Sequence, residues 1–321
     1  KRHSFPTRRS SDLLGDRGAT VVLAAGHGAL GDEYALYEVA RRLGARFYHP
    51  EQELVPLLPP EQIRVRARTA TVVAQRDAEG KPAVDYRPDF AHRAYTFHAA
   101  HPLETLESFS DAAFPIDEAQ RANEWMLKNR ADMFRGPGRG VASPEAQAKR
   151  GAELEALRHT LAMRTTTGIT LHNEQQGASG QIDPSSPVPV QQQIEAAVDA
   201  ALAATPDAVV FGIHFGPTEF TVTPDRETVQ WIDWAGQRAR AQRPDIPVWI
   251  NDHTSGSQPT PNFDDLGCPT GTNGEGRGDY YDLAFHTDPS LGVSVHTVMF
   301  YPLEGEARVY NQRTFAHKLC L

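Results

Sequence analysis

Cysteine is nearly absent, with only Cys268 and Cys320 in 321 residues. Two thiols build neither a disulfide framework nor an all-cysteine zinc site, and they leave the redox compartment open. Long apolar runs are missing too. None approaches the roughly 18 residues of a membrane span, and the longest are strand-sized. A basic surplus is also lacking: the net charge is −9, so nucleic acid is not an expected partner. What remains is ordinary globular composition, 40% hydrophobic and 23% charged, enough for one large domain or two modest ones.

Residues 1–13 are basic and serine-rich, without apolar periodicity or a signal-peptide core. The string resembles the translation of sequencing-adapter read-through in assembled metagenomic genes, and it is set apart as non-native and disordered. A transit peptide is the alternative. On the first reading the domain beginning at residue 14 is N-terminally truncated, and a signal peptide would not be observable.

Residues 20–25 read as a buried strand, and 32–43 as a helix with Leu36, Val39, Ala40 and Leu43 on one face and Gly44 at its end. A strand at 45–48, a proline-rich turn and alternating segments at 63–68 and 71–75 complete a small mixed α/β domain over 14–91. From His92 the pattern changes to strands and helices alternating at long intervals, the grammar of βα units around a parallel sheet. Strands are predicted at 94–98, 166–172, 208–215, 247–252 and 292–300, and helices at 116–134, 145–163, 190–204 and 225–242. A Gly/Pro/Asn-rich loop fills 254–280.

A closed eight-stranded barrel takes roughly 250 residues, so the expected fold class is α/β, with an incomplete (β/α)8 barrel over 92–321 that stops after about five strands. Such a piece is expected to be inactive alone. An open doubly wound sheet is the alternative.

In parallel barrels the chemistry sits at the C-terminal ends of strands. Here the strand ends read His98 with His101, His172-Asn173-Glu174 with Gln176, His214 with Glu219, Asn251-Asp252-His253, and His296 with Tyr301. Glycoside hydrolysis needs two carboxyl groups, roughly 5–5.5 Å apart for retention or 6.5–9.5 Å for inversion. Glu219, Asp252 and Glu174 are the candidates. Glu219 ranks first because it follows an almost wholly apolar strand, where partial burial would raise its pKa into a working range. The second carboxylate of the pair would otherwise lie in the missing strands. The histidines, Asn173, Gln176, Asn251 and Tyr301 would then contact sugar hydroxyls, with Trp249, Tyr280 or Tyr281 as stacking faces and no cofactor.

The rival chemistry is hydrolysis assisted by a divalent metal such as zinc, held by His98, His172, His214 and His253. Against it, barrel metallohydrolases begin with His-x-His, whereas His98 and His101 are three apart. Gly26-His-Gly28-Ala-Leu-Gly31 fits G-x-G-x-x-G, with Glu51 about 20 residues on. The continuation is proline-rich, with an alternating arginine strand rather than another βα unit, so a tight turn into a helix is preferred.

The segment from Gly31 through Ala35-Leu-Tyr-Glu-Val and Leu43-Gly-Ala-Arg-Phe-Tyr-His-Pro50, followed by Glu53-Leu-Val-Pro56, resembles the N-terminal domain of family 67 α-glucuronidases. The stretch Arg93-Ala-Tyr-Thr-Phe-His-Ala-Ala-His-Pro102 looks like the first barrel strand of bacterial carbohydrate-active proteins sharing that architecture. The resemblance implies a glycosidase acting on a glycan or uronic-acid-containing saccharide, exported to the periplasm or beyond. A glycan-binding protein without turnover is the non-enzymatic alternative.

Overall fold

The computed structural model describes residues 28–59, 61–62, 75–76, 82–83, 91–95, 106–137, 143–172, 181–214, 223–251, 283–294, 308–309 and 313–314. The chain divides into two compact units, Lys1–Met163 and Arg164–Leu321. The predicted strands at 20–25 and 63–68 lie outside the described residues, as does the loop at 254–280.

In the first unit, helix α1 (Gly28–Arg42) leads into the hairpin of β1 (Arg46–His49) and β2 (Gln52–Leu54). The face of α1 that packs carries Leu30, Tyr34 and Tyr37, while Leu36 is 58% exposed, so the expected apolar face is corrected. Aromatic rings with a polar end reach further than an isolated leucine: Tyr34 packs on the core while its hydroxyl donates to the Ala131 carbonyl at 2.7 Å. Helices α2 (Leu106–Ser110), α3 (Asp117–Lys128) and α4 (Pro144–Thr160) complete this core around Phe109, Ala122, Met126, Leu127, Leu154 and Met163. A short antiparallel pair, β3 (Gln75–Arg76) with β4 (Pro82–Ala83), also belongs to this unit.

Three of these helices stop the same way. After α1, Gly44 at φ 109° donates to the Arg41 carbonyl and Ala45 to that of Ala40. After α3, Arg130 at φ 66° and Ala131 repeat the two bonds to Leu127 and Met126. After α4, Ala162 at φ 51° and Met163 repeat them to His159 and Arg158. Each is a Schellman ending, which places its C′ residue in left-handed backbone. Only the first uses glycine, so the predicted helices over 116–134 and 145–163 run past their actual ends.

The predicted strand at 94–98 is not formed at Ala94 and Tyr95, and its remaining residues lie outside the described ones. The backbone here is committed to Asp132 instead. That buried carboxylate accepts from the Arg93 N–H and lies 3.0 Å from His92 Nδ1, while the Arg93 carbonyl accepts from the Asp132 and Met133 N–H groups.

The second unit holds a four-stranded parallel sheet of β5 (Thr166–Thr170), β6 (Val210–His214), β7 (Val248–Asn251) and β8 (Gly292–Ser294), in that order. Helices α5 (Val190–Ala204) and α6 (Asp225–Gln242) connect the first three strands, and both agree with prediction. The strand order never reverses. Right-handed crossovers that always step in one direction put every connecting helix on the same face. Ile169, Leu171, Phe211, Ile213, Val248 and Ile250 meet Ile194, Val198, Ile232 and Ala235 there. A forked ion pair from Arg238 to Asp199, at 2.7 Å and 2.5 Å, ties α6 to α5. A short antiparallel pair, β9 (Arg308–Val309) with β10 (Arg313–Thr314), belongs to this unit as well. The chain is thus mixed α/β with a parallel sheet, and among the described residues no helix is long and apolar enough to cross a membrane.

Candidate functional site

Side chains alternate across a strand, so the face opposite α5 and α6 carries the residues that skip the core. Register then orders them into rows. Nearest the C-terminal edge stand Thr170, His214 and Asn251, partners across three successive strands, with Ser294 as the backbone register partner of Asn251 in the fourth. All four residues are hydrogen-bonding types. One step in from the edge on the same face stand Gly168, Gly212, Trp249 and Gly292.

The glycines give this face its shape. A Cβ on Gly212 would come within 2.8 Å of Asn251 Nδ2, and one on Gly292 within 2.7 Å of the Trp249 ring. The Asn251 amide and the Trp249 indole therefore lie down over glycine backbone, where any other residue would displace them. Asn251 Nδ2 reaches 3.3 Å from His214 Nε2; His214 is exposed and Trp249 is 40% exposed. The result is an aromatic ring flanked by an amide and an imidazole on a shallow floor. That combination offers a stacking surface together with hydrogen-bonding groups at its edge.

His172 is placed otherwise. It follows β5 by two residues and turns to the helix side, where its ring stacks on Trp231 of α6 with centroids 4.8 Å apart and planes at 25°. Its Nδ1 lies 3.4 Å from Thr223 Oγ1, and Nε2 is buried with no hydrogen-bond partner among the described residues. Desolvation pushes its pKa down to about 4, which keeps the ring neutral. His172 and His214 thus serve different sides of the sheet. Among the described residues no group of three or more His, Cys, Asp or Glu is arranged to hold a metal ion.

The remaining candidates, Glu174, Glu219, Asp252, His98, His101, Asn173, Gln176, His253, His296 and Tyr301, lie outside the described residues. In sequence, Asp252 directly follows Asn251 and Glu219 follows His214 by five. Sequence reasoning missed Thr170 and Ser294. A signal for them exists, because three strands close on Gly-aliphatic-polar: Gly168-Ile-Thr170, Gly212-Ile-His214 and Gly292-Val-Ser294. Comparison of the chain with protein families, with curated proteins and with solved structures finds no match.

Proposed function

We propose that this chain belongs to a glycoside-hydrolase-like enzyme acting on a glycan or uronic-acid-containing saccharide. The observation that supports it most is the row Thr170, His214 and Asn251 beside Trp249, on the face opposite α5 and α6 at the C-terminal edge of a parallel sheet. In open and closed parallel sheets alike, ligands bind at that edge. One-directional strand order is also what part of a (β/α)8 barrel would have, with this face as its interior.

In this reading Trp249 stacks on a sugar ring, and His214 and Asn251 bind its hydroxyls. Glu219 is the acid/base, while Asp252 or Glu174 is the partner carboxylate, so protonation of the leaving oxygen and attack at the anomeric carbon are divided between two groups. The resemblance of residues 31–56 to the N-terminal domain of family 67 α-glucuronidases fits a carbohydrate setting and an exported protein. No cofactor is required.

The test is hydrolysis of an unactivated glycoside panel by the chain extended to its full gene. Glu219→Gln is expected to lower turnover by roughly 10² to 10⁴ while saccharide binding survives. Undiminished turnover in that variant removes Glu219 from the mechanism. Loss of activity on chelation, restored by zinc, replaces the reading with a metal hydrolase whose ligands would come from His98, His214 and His253 without His172, which lies on the other side of the sheet from His214. Binding without any turnover replaces it with a glycan-binding protein.

A further inference from the structure

The first unit contains a cavity of about 520 Å³ at the C-terminal end of α1, lined by Glu38, Arg41, Arg42, Arg46, Phe47, Tyr48 and Asn129. Its size lies within the range of small-molecule sites. In a chain of net charge −9, three arginines around one cavity are a local concentration of the opposite sign.

The donors outnumber the acceptors. Glu38 is the one acid in the lining, and both its oxygens are engaged, Oε1 by Arg42 Nε at 2.9 Å and Oε2 by Arg130 Nη2 at 2.6 Å. Arg41 uses Nη2 on the Lys128 carbonyl at 2.6 Å and on Asn129 Oδ1 at 3.0 Å. Arg46 uses Nη1 on the Arg41 and Ala45 carbonyls, at 2.9 Å and 2.7 Å. A guanidinium carries five N–H donors. Nε and Nη1 of Arg41, and Nε and Nη2 of Arg46, have no acceptor among the described residues.

Helix capping accounts for part of this arrangement, since basic groups favour a helix C-terminus. It does not account for the spare donors. The carbonyls of Ala40 and Arg41 already receive the two Schellman bonds, and that of Arg41 also receives Arg46. Burial, followed by the charge of Arg130, holds Arg41 below the usual arginine value, with Glu38 offsetting only part. Three lining arginines and Arg130 stand around the one carboxylate of Glu38. Apolar surface is at hand as well: Arg41 sits 5.9 Å from the Phe47 ring centre, and Tyr48 is 65% exposed.

We infer that this cavity binds a small molecule bearing an oxyanion, with the spare N–H groups of Arg41 and Arg46 on the oxygens and Phe47 and Tyr48 against its apolar body. The spare Nε and Nη2 of exposed Arg46 form the planar fork that matches carboxylate, phosphate and sulfate oxygens, and Arg41 adds single donors. The inference does not use the row at the sheet edge: its residues belong to the first unit, whereas Thr170, His214, Asn251 and Trp249 belong to the second.

The experiment is calorimetric titration of the whole chain with inorganic phosphate and with phenyl phosphate. Millimolar binding is expected, tighter for phenyl phosphate because of the aromatic wall, and weakening as sodium chloride is raised. Arg46→Gln should weaken phenyl phosphate binding about tenfold. Glu38→Gln removes the balancing charge and should tighten it, the opposite of what general damage to the fold would do. In the wild type, phenyl phosphate should shift the Arg41 and Arg46 Nε–H resonances, a readout that needs no variant. Unmoved resonances at saturating millimolar ligand, or weaker binding by folded Glu38→Gln, would overturn the proposal.

Discussion

The His172 imidazole lies nearly parallel to the Trp231 indole, 4.8 Å between centroids, and is held neutral by burial. Its folded pKa of about 4 stands below the ordinary 6.5. Between those values the unfolded chain binds the proton and the folded chain does not, so stability falls as pH drops through the window and is fully present above it. The expected loss from this residue is about 2 kcal/mol between pH 7.5 and pH 5. Urea unfolding of wild type and His172→Leu at both values checks it. An equal pH dependence in the two proteins would refute the assignment.

Gly168 and Gly212 are neighbours across β5 and β6, yet their substitution by alanine is expected to have different consequences. A Cβ on Gly168 would collide with the backbone carbonyl of Gly212, which cannot move without opening the ladder. A Cβ on Gly212 would meet the movable end of Asn251. Gly168→Ala should cost about 3 kcal/mol and Gly212→Ala closer to 1 kcal/mol. Gly212→Ala should nevertheless displace the Asn251 amide and weaken saccharide binding. Paired unfolding and binding measurements separate the two effects.

Ala162 occupies left-handed backbone at φ 51°, at the position Gly44 fills after α1. Ala162→Gly is therefore a stabilising substitution of about 0.5–1 kcal/mol, whereas Gly44→Ala should lose a comparable amount. Thermal unfolding of each single variant gives the sign directly. Destabilisation by Ala162→Gly would contradict the backbone geometry.

Arg150 is 1% exposed, and its guanidinium serves the Ser108 and Phe114 carbonyls as well as Glu153. Arg150→Leu keeps an apolar stem but removes the guanidinium's hydrogen bonds to two carbonyls, at a cost of about 2–4 kcal/mol. Arg150→Lys should recover only part of that, because an ammonium lacks the planar fork. Denaturant midpoints for the two variants decide it.

The sequence made the second unit easier to read than the first. Helices α5 and α6 carry regular apolar stripes, and β6 and β7 are short runs rich in apolar residues, so period and length identify them. In α4 the buried stripe is Arg150, Leu154 and Arg158, which no hydropathy pattern marks as interior. The long arginine stems fill the core and their heads serve carbonyls, a role set by tertiary partners rather than by local period. Endings at Arg130 and Ala162 were hidden for a related reason, since the left-handed residue is not glycine. At the site, His214 and Asn251 were visible as polar strand ends. Their membership of one row depends on register, which no single strand encodes.

The unbroken strand order bears on how the second unit is made. Each strand pairs with the one synthesised before it: Thr166 meets Val210, Phe211 meets Val248 and Trp249 meets Gly292. Among the described strands none waits for a partner encoded far downstream, so these four add in the direction in which the ribosome delivers them. Each loop to be closed spans a single connection, which keeps the entropy of every step small. A nascent chain arrested after Asn251 should already protect the β5 and β6 amides from exchange.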